Sequence, residues 1–260
     1  MKRRRLLALP AAVVLAVIGA GCAAGGRPAA APGPSTPAPR PAPGGGALVA
    51  TPAPGHSALG RPGFSLVAQA RHGRVGLYRG PGSHRLVRML HSPDGRFPLV
   101  LLVKQARPGW LQVYLPVRPN QSTGWIRQAD VSLRYDGYRV EVDVHRRRLS
   151  VWRSGVVLDR QPIGVGQVLT PTPGGIYYII QEFRLSDPGG PYGPYALGIS
   201  AYSNVLQSFG SGPGQIALHG TNDPGGIGAK VSHGCIHLRN REITRLAHLL
   251  PLGTPVLIRA

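Results

Sequence analysis

Past residue 61 the chain leaves little room for long helices. There Gly and Pro break the apolar residues into short runs, each closed by a turn signal. Between residues 64 and 133, segments 98–104 (PLVLLVK) and 109–115 (GWLQVYL) read as strands, and 119–124 (PNQSTG) is a dense turn before Trp125-Ile126. Short strands at this spacing predict a small all-β barrel or sandwich. From Tyr138 onward, 139–144 and 148–152 alternate polar and apolar, and Gly155 turns the chain into 156–158. That pattern predicts a meander with one buried face. Residues 170–175 (TPTPGG) force a loop before a strand over 176–180. The Gly/Pro/Tyr-rich stretch 187–195 is an irregular loop, of a length that is usually functional in compact domains. Helical spacing appears over 240–250, where Ile243, Leu246, Ala247 and Leu250 share a face and Pro251 ends the run. The expected fold class is mainly β, in two modules, with one small C-terminal helix.

Residues 1–22 read as an export signal. Lys2, Arg3, Arg4 and Arg5 precede an apolar run over 6–20, followed by Gly19-Ala20-Gly21-Cys22. That ending resembles the lipobox of bacterial lipoproteins, in which the cysteine is lipidated and becomes the mature N-terminus. Gly19 stands where a leucine is common. The expectation is a lipid anchor on Cys22; cleavage without lipidation and an uncleaved membrane anchor are the alternatives. Each places the rest of the chain outside the cytoplasm, at the outer face of the cytoplasmic membrane or in the wall. Residues 23–61 collapse to Pro, Ala and Gly, and cannot bury enough apolar surface to offset the entropy of ordering them. At about 3.1 Å per residue in polyproline II, such a linker reaches roughly 100 Å.

Charge narrows the partners. Lys and Arg number 30 against 10 Asp and Glu, a formal net charge of +20, and few of these belong to the leader. Nucleic acid is set aside because export removes it and no nucleic-acid motif is present. An anionic wall polymer or a membrane surface is the expected partner, with a merely solvated arginine-rich surface as the alternative. Trp110 and Trp125 are read as packing aromatics of a small core, with a glycan or peptide groove as the alternative. His72, His84 and His91 lack metal-ligand spacing and are expected at the surface.

The chemistry concentrates near the C-terminus. Cys235 is the only cysteine outside the export segment, and it sits in Ser232-His233-Gly234-Cys235, downstream of His219-Gly220-Thr221-Asn222. Exported proteins usually pair their cysteines or lack them, so an unpaired thiol there signals reactivity. An imidazole within hydrogen-bond reach takes the thiol proton and yields a thiolate nucleophile.

With Ile236 added, these two motifs resemble the catalytic signature of L,D-transpeptidases of the YkuD type. Pro171-Thr172-Pro173-Gly174 and Tyr192-Gly193-Pro194-Tyr195 resemble the same domain. The resemblance covers residues 138–260. Trp110, Val113, Leu115-Pro116, Arg118-Pro119-Asn120 and Gly124-Trp125-Ile126 resemble a bacterial SH3-like module over 62–135. An Arg or Asn is common two positions after the family's nucleophile, where this chain has His237.

The resemblance implies a β-sandwich with a small C-terminal helix behind a small SH3-like barrel, and acyl transfer between peptidoglycan stem peptides. Cys235 would attack the carbonyl of the third residue of a donor tetrapeptide and expel D-alanine. An amine of an acceptor stem would then resolve the thioester to a 3-3 cross-link. His219 would be the base, oriented by the carbonyl of Gly220, with the amides of Gly234 and Cys235 as oxyanion donors. His233 would shape the pocket and assist proton transfer, and Tyr192 and Tyr195 would wall the cleft. Asn222 and His237 are further substrate-contact candidates. Ser232 either orients His233 or serves the turn. No cofactor or metal is implied. Three alternatives stand beside this reading. One is a hydrolase using the same Cys/His pair with water as acceptor. The second is a zinc site of His219, His233, Cys235 and His237, with 233, 235 and 237 on one strand face. The third is a binding protein without catalysis.

Overall fold

The early strand signals resolve into an antiparallel sheet. A computed structural model describes residues 64–92 and 95–260; the leader expected over 1–22, with Cys22, and the linker expected over 23–61 lie outside the described residues. Strands β1 (Ser65–Ala70), β2 (Arg74–Tyr78), β3 (Leu86–His91), β4 (Val100–Arg107), β5 (Trp110–Tyr114), β6 (Thr123–Arg127) and β7 (Val131–Asp136) form it in the order β3-β2-β6-β5-β4-β1-β7. The two-residue period sends Leu111, Val113 and Ile126 into its core. Trp110 and Trp125, one position out of phase, therefore stand half-buried on the opposite face, not in the core where the sequence suggested them. Trp110 meets Tyr78 edge-on at 5.2 Å, and the Arg127 guanidinium lies over both rings at 5.0 and 5.8 Å. His72, His84 and His91 are exposed.

The second sheet holds eight strands. Its elements are β8 (Tyr138–Asp143), β9 (Arg148–Arg153), β10 (Val156–Pro162), β12 (Gly175–Arg184), β13 (Tyr195–Tyr202), β14 (Gln215–His219), β16 (Ile236–His237) and β17 (Pro255–Arg259). They run in the order β10-β9-β8-β17-β12-β13-β14-β16, and β11 (Val165–Gly166) pairs separately with β15 (Lys230–Ser232). The helix, α1 (Asn240–Leu249), packs on β13 and β14. Its 3.6-residue stripe buries Ile243, Leu246 and Ala247, and Leu250 follows them into the core before Pro251. No helix among the described residues is long and apolar enough to cross a membrane.

One strand serves both cores. On β12, Tyr177 and Ile179 enter the core of the eight-stranded sheet, while Tyr178 and Ile180 enter the core of the seven-stranded one. Burying a side chain of this size contributes about 1.5–3 kcal/mol. The Tyr178 hydroxyl donates to the Tyr114 carbonyl at 3.0 Å. At the junction of β7 and β8, buried Asp136 accepts from the Tyr138 amide at 2.8 Å and from the Thr254 hydroxyl at 2.7 Å. These contacts fix the N-terminal sheet against the sheet that carries the cysteine.

Candidate active site

His219 ends β14, and Cys235 immediately precedes β16. The two strands run parallel, with Leu218 opposite Ile236 and His219 opposite His237. The alternation of side chains then divides the chemistry from the core. Leu218 and Ile236 face inward, whereas Ala217, His219, Cys235 and His237 line a cavity of about 400 Å³. Phe183, Tyr192, Phe209 and His233 add further aromatic rings to its lining.

The His219 ring is 3% exposed, and its Nδ1 lies 2.6 Å from the Gly220 carbonyl oxygen. A proton on Nδ1 donates to that oxygen, which leaves Nε2 as the acceptor. Tyr192 meets the ring edge-on with centroids 4.9 Å apart, and His237 lies at 4.5 Å. Burial, and then the neighbouring His237, lower the His219 pKa to about 4, against an opposing effect of the Gly220 carbonyl. Burial likewise raises the Cys235 thiol, although a hydrogen bond from the Ala217 backbone favours the thiolate. The resting pair is therefore a neutral thiol and a neutral imidazole, and not the preformed thiolate that a cysteine among histidines suggests. His237 is lowered by burial and by His233, against the attraction of Asp223.

The turn 232–235 is built around Ser232. Its Oγ donates to the Cys235 carbonyl at 2.5 Å and accepts from the Gly234 amide at 3.1 Å. Ser232 thus serves the turn, and the Gly234 amide, expected as an oxyanion donor, is engaged by it. Gly234 has φ +117, and a Cβ there would lie 3.0 Å from the Ile216 side chain. His233 is exposed and tilts against Phe209, with ring centroids 5.0 Å apart.

Two expected residues stand elsewhere. Tyr195 shares the phase of Leu197 on β13, so it packs at the core margin with its ring edge-on to His248 at 5.3 Å. Ala196 and Gly198 are the β13 residues in the cavity wall. Asn222 is exposed beyond β14 and does not line the cavity. The zinc arrangement does not form: residues 233–235 make a turn between β15 and β16, so 233, 235 and 237 share no strand face. Among the described residues no group of three or more His, Cys, Asp or Glu is placed to hold a metal ion.

Sequence reasoning also missed supporting residues. Thr172, 1% exposed, donates to the Gly234 carbonyl and accepts from the Gly166 amide, both at 2.9 Å. It ties the 171–174 loop to the 232–235 turn that carries Cys235. Asn240, at the start of α1, accepts from the Thr221 amide at 2.8 Å and donates to the Pro188 carbonyl at 3.4 Å. It joins the turn after His219 to the 187–195 loop, where Gly193 and Gly220 approach so closely that a Cβ on Gly193 would lie 2.7 Å from the Gly220 Cα. The helical spacing marked Asn240 only as a helix start, and Thr172 carried no sign of its role beyond the family-like PTPG string.

The fold and the site define a mainly β domain in which a buried histidine, His219, and a cysteine, Cys235, line one cavity. Residues 137–258 match the YkuD family model, described as an L,D-transpeptidase catalytic domain. Over 121 residues the chain is 39% identical to YkuD of Bacillus subtilis (strain 168), a protein named for L,D-transpeptidase activity. That match takes in 46% of this chain and 65% of YkuD, so it spans just under two thirds of the relative's length. A shorter segment of 69 residues is 42% identical to YbiS of Escherichia coli (strain K12), named likewise, covering 26% of this chain and 18% of YbiS. Among solved structures, an L,D-transpeptidase from Mycobacterium smegmatis aligns at 16% identity and a TM-score of 0.40, covering 62% of this chain and 90% of that one.

Proposed function

We propose that this protein is a peptidoglycan L,D-transpeptidase that forms 3-3 cross-links through a cysteinyl thioester. The observation that carries the reading is the pairing of β14 with β16, which sets the Nδ1-anchored His219 and Cys235 in one cavity. The family match over residues 137–258 supports it.

The neutral resting pair dictates the order of events. As the Cys235 sulfur attacks the carbonyl carbon of the third residue of a donor tetrapeptide, His219 Nε2 takes the thiol proton. Charge develops on the carbonyl oxygen. The Cys235 amide is the donor assigned to it, because the Gly234 amide is held by Ser232. Collapse of the intermediate breaks the peptide bond, and the imidazolium returns its proton to the departing D-alanine amine. The amine of an acceptor stem then attacks the thioester, gives its proton to His219, and the freed sulfur recovers it. Each turnover makes one amide for each amide broken, so no energy source is needed. His219 acts as base and acid in turn, and a low proton affinity suits it to giving the proton back.

The expected leader, with lipidation at Cys22 and a 23–61 tether, would hold this domain at the outer face of the cytoplasmic membrane within reach of the wall. The net charge of +20 suits it to anionic wall polymers or a membrane surface. The first module serves as an SH3-like accessory to the catalytic domain. Incubating the purified protein with a stem tetrapeptide tests the reaction. Cross-linked dimer with one D-alanine released per dimer is expected, and neither from Cys235→Ala. Shortened monomer without dimer would assign a hydrolase instead.

A further inference from the structure

The loop between β13 and β14, residues 203–214, forms one wall of the cavity. Ser203, Leu206, Phe209, Gly212, Pro213 and Gly214 all line it. Its base is closed by the Ser203 amide donating to the Gly214 carbonyl at 2.8 Å, and its tip by reciprocal 3.0 Å bonds between Phe209 and Gly212. The tip brings the Phe209 ring against His233. Little apolar burial holds this loop in place, since Val205 and Phe209 are 53% and 46% exposed. A surface loop of this kind takes its shape from polar ties.

Those ties come from the connection between β5 and β6 of the N-terminal module. The Arg118 guanidinium donates to three loop-side carbonyls, those of Ser203 (2.5 Å), Leu206 (2.9 Å) and Pro213 (2.8 Å). It also covers the Tyr202 ring at 5.0 Å. Beside it, the Asn120 amide group donates to the Tyr202 carbonyl at 2.7 Å and accepts from the Tyr202 amide at 2.9 Å. The Tyr202 hydroxyl returns a bond to the Pro116 carbonyl at 3.1 Å. Three carbonyl oxygens aimed at one point repel each other unless a donor lies between them, and the planar fork of a guanidinium supplies several N–H groups at once. The loop leaves room for it: Gly214 has φ +69, and a Cβ there would lie 3.0 Å from Arg118 Nη2 and 2.5 Å from the Leu206 carbonyl oxygen.

We propose that Arg118, seconded by Asn120, is a positioning residue that fastens the 203–214 loop, so that the first module completes the substrate cleft of the second. Arg118 lies outside the segment 137–258 that matches the catalytic family. The N-terminal module thereby takes part in shaping the cleft, distinct from any binding of its own, a role that rests on the acyl-transfer reading for its kinetic consequence but not for its structural one.

The test uses the full-length protein, with Arg118→Ala, Arg118→Lys and Asn120→Ala. Hydrogen exchange of 203–214 should accelerate about tenfold or more in Arg118→Ala, the factor set by losing a charge-assisted hydrogen bond. Exchange of α1 and β12 should stay unchanged. Lysine, a single point charge, should restore only part of the protection. With tetrapeptide donor, KM should rise about tenfold while kcat stays within about twofold, as expected when substrate positioning and not chemistry is lost. Alkylation of Cys235 by iodoacetamide, too small to need the loop wall, should proceed at the wild-type rate or faster. Unchanged exchange of 203–214 in Arg118→Ala overturns the proposal, and so does a loosened loop with an unaltered KM. Should Arg118→Ala not fold, Asn120→Ala is held to the same criteria. A wild-type protein that turns over no stem peptide would refute the acyl-transfer reading alone, and the exchange result would still decide the role of Arg118.

Discussion

His219 and His237 occupy opposed positions on two parallel strands, with ring centroids 4.5 Å apart and planes inclined by 51°. Two imidazoles so close cannot both carry a proton without repulsion, and the site is desolvated as well. His237 is thus a titratable neighbour of His219 and helps to hold its pKa down.

Replacing His237 with asparagine removes that repulsion. The His219 pKa should then move up from about 4 towards its ordinary value, because one of the two causes holding it down is gone. The acid limb of kcat/KM against pH should shift upward, while the rate at neutral pH changes little. A pH profile of the variant checks this; an unmoved acid limb would show that His237 does not act on His219.

The depressed His219 pKa also governs stability. In the folded protein the ring stays neutral down to about pH 4, whereas in the unfolded chain it protonates near 6.5. Below 6.5 the unfolded state binds a proton that the folded state refuses, so stability is fully present above that pH and is lost as pH falls towards 4. The buried ring makes the full linkage apply, on the order of 3 kcal/mol across this window. Urea melts at several pH values should show the decline, and His219→Asn should flatten it.

Thr172 braces the turn that carries Cys235 through its bond to the Gly234 carbonyl. Valine at this position keeps the volume but leaves the Gly166 amide and the Gly234 carbonyl without their partner. Leaving buried groups unpaired costs about 2–3 kcal/mol. The Thr172→Val protein should be destabilised by that amount in denaturant titration. Its kcat should fall with little change in KM, because the turn that sets Cys235 is loosened and the rest of the cleft is not.

How far the sequence reveals this architecture depends on the range of each signal. The helix was legible because Ile243, Leu246 and Ala247 repeat at the helical period, and β8 and β9 because each buries one face only. Strand β13 gave no such signal: Leu197, Ile199 and Ala201 face the core while Gly198 and Ser200 are buried on the other side, so alternation vanishes where both faces are covered. The bond from Thr172 to Gly234 spans 62 residues of sequence, and that from Arg118 to Ser203 spans 85; no local pattern carries either. The Cys235 motif was legible as chemistry, yet its protonation state was not. That state depends on burial, which the fold creates by placing β16 against β14.

The fastening of the two sheets through β12 leads to a last expectation. Tyr178 is fully buried, and its hydroxyl is bonded to the Tyr114 carbonyl across the junction. Tyr178→Phe removes that donor, keeps the ring, and strands a buried carbonyl, at a cost of about 1–2 kcal/mol. If the sheets unfold together, the loss appears as one shifted transition seen alike by tryptophan fluorescence, which reports Trp110 and Trp125 in the first sheet and Trp152 in the second, and by far-ultraviolet circular dichroism. If the sheets were independent, the two probes would separate in the variant, because the N-terminal sheet would melt first. A single coincident transition is the expected outcome, since β12 lends Tyr178 and Ile180 to one core and Tyr177 and Ile179 to the other and cannot leave either without exposing both.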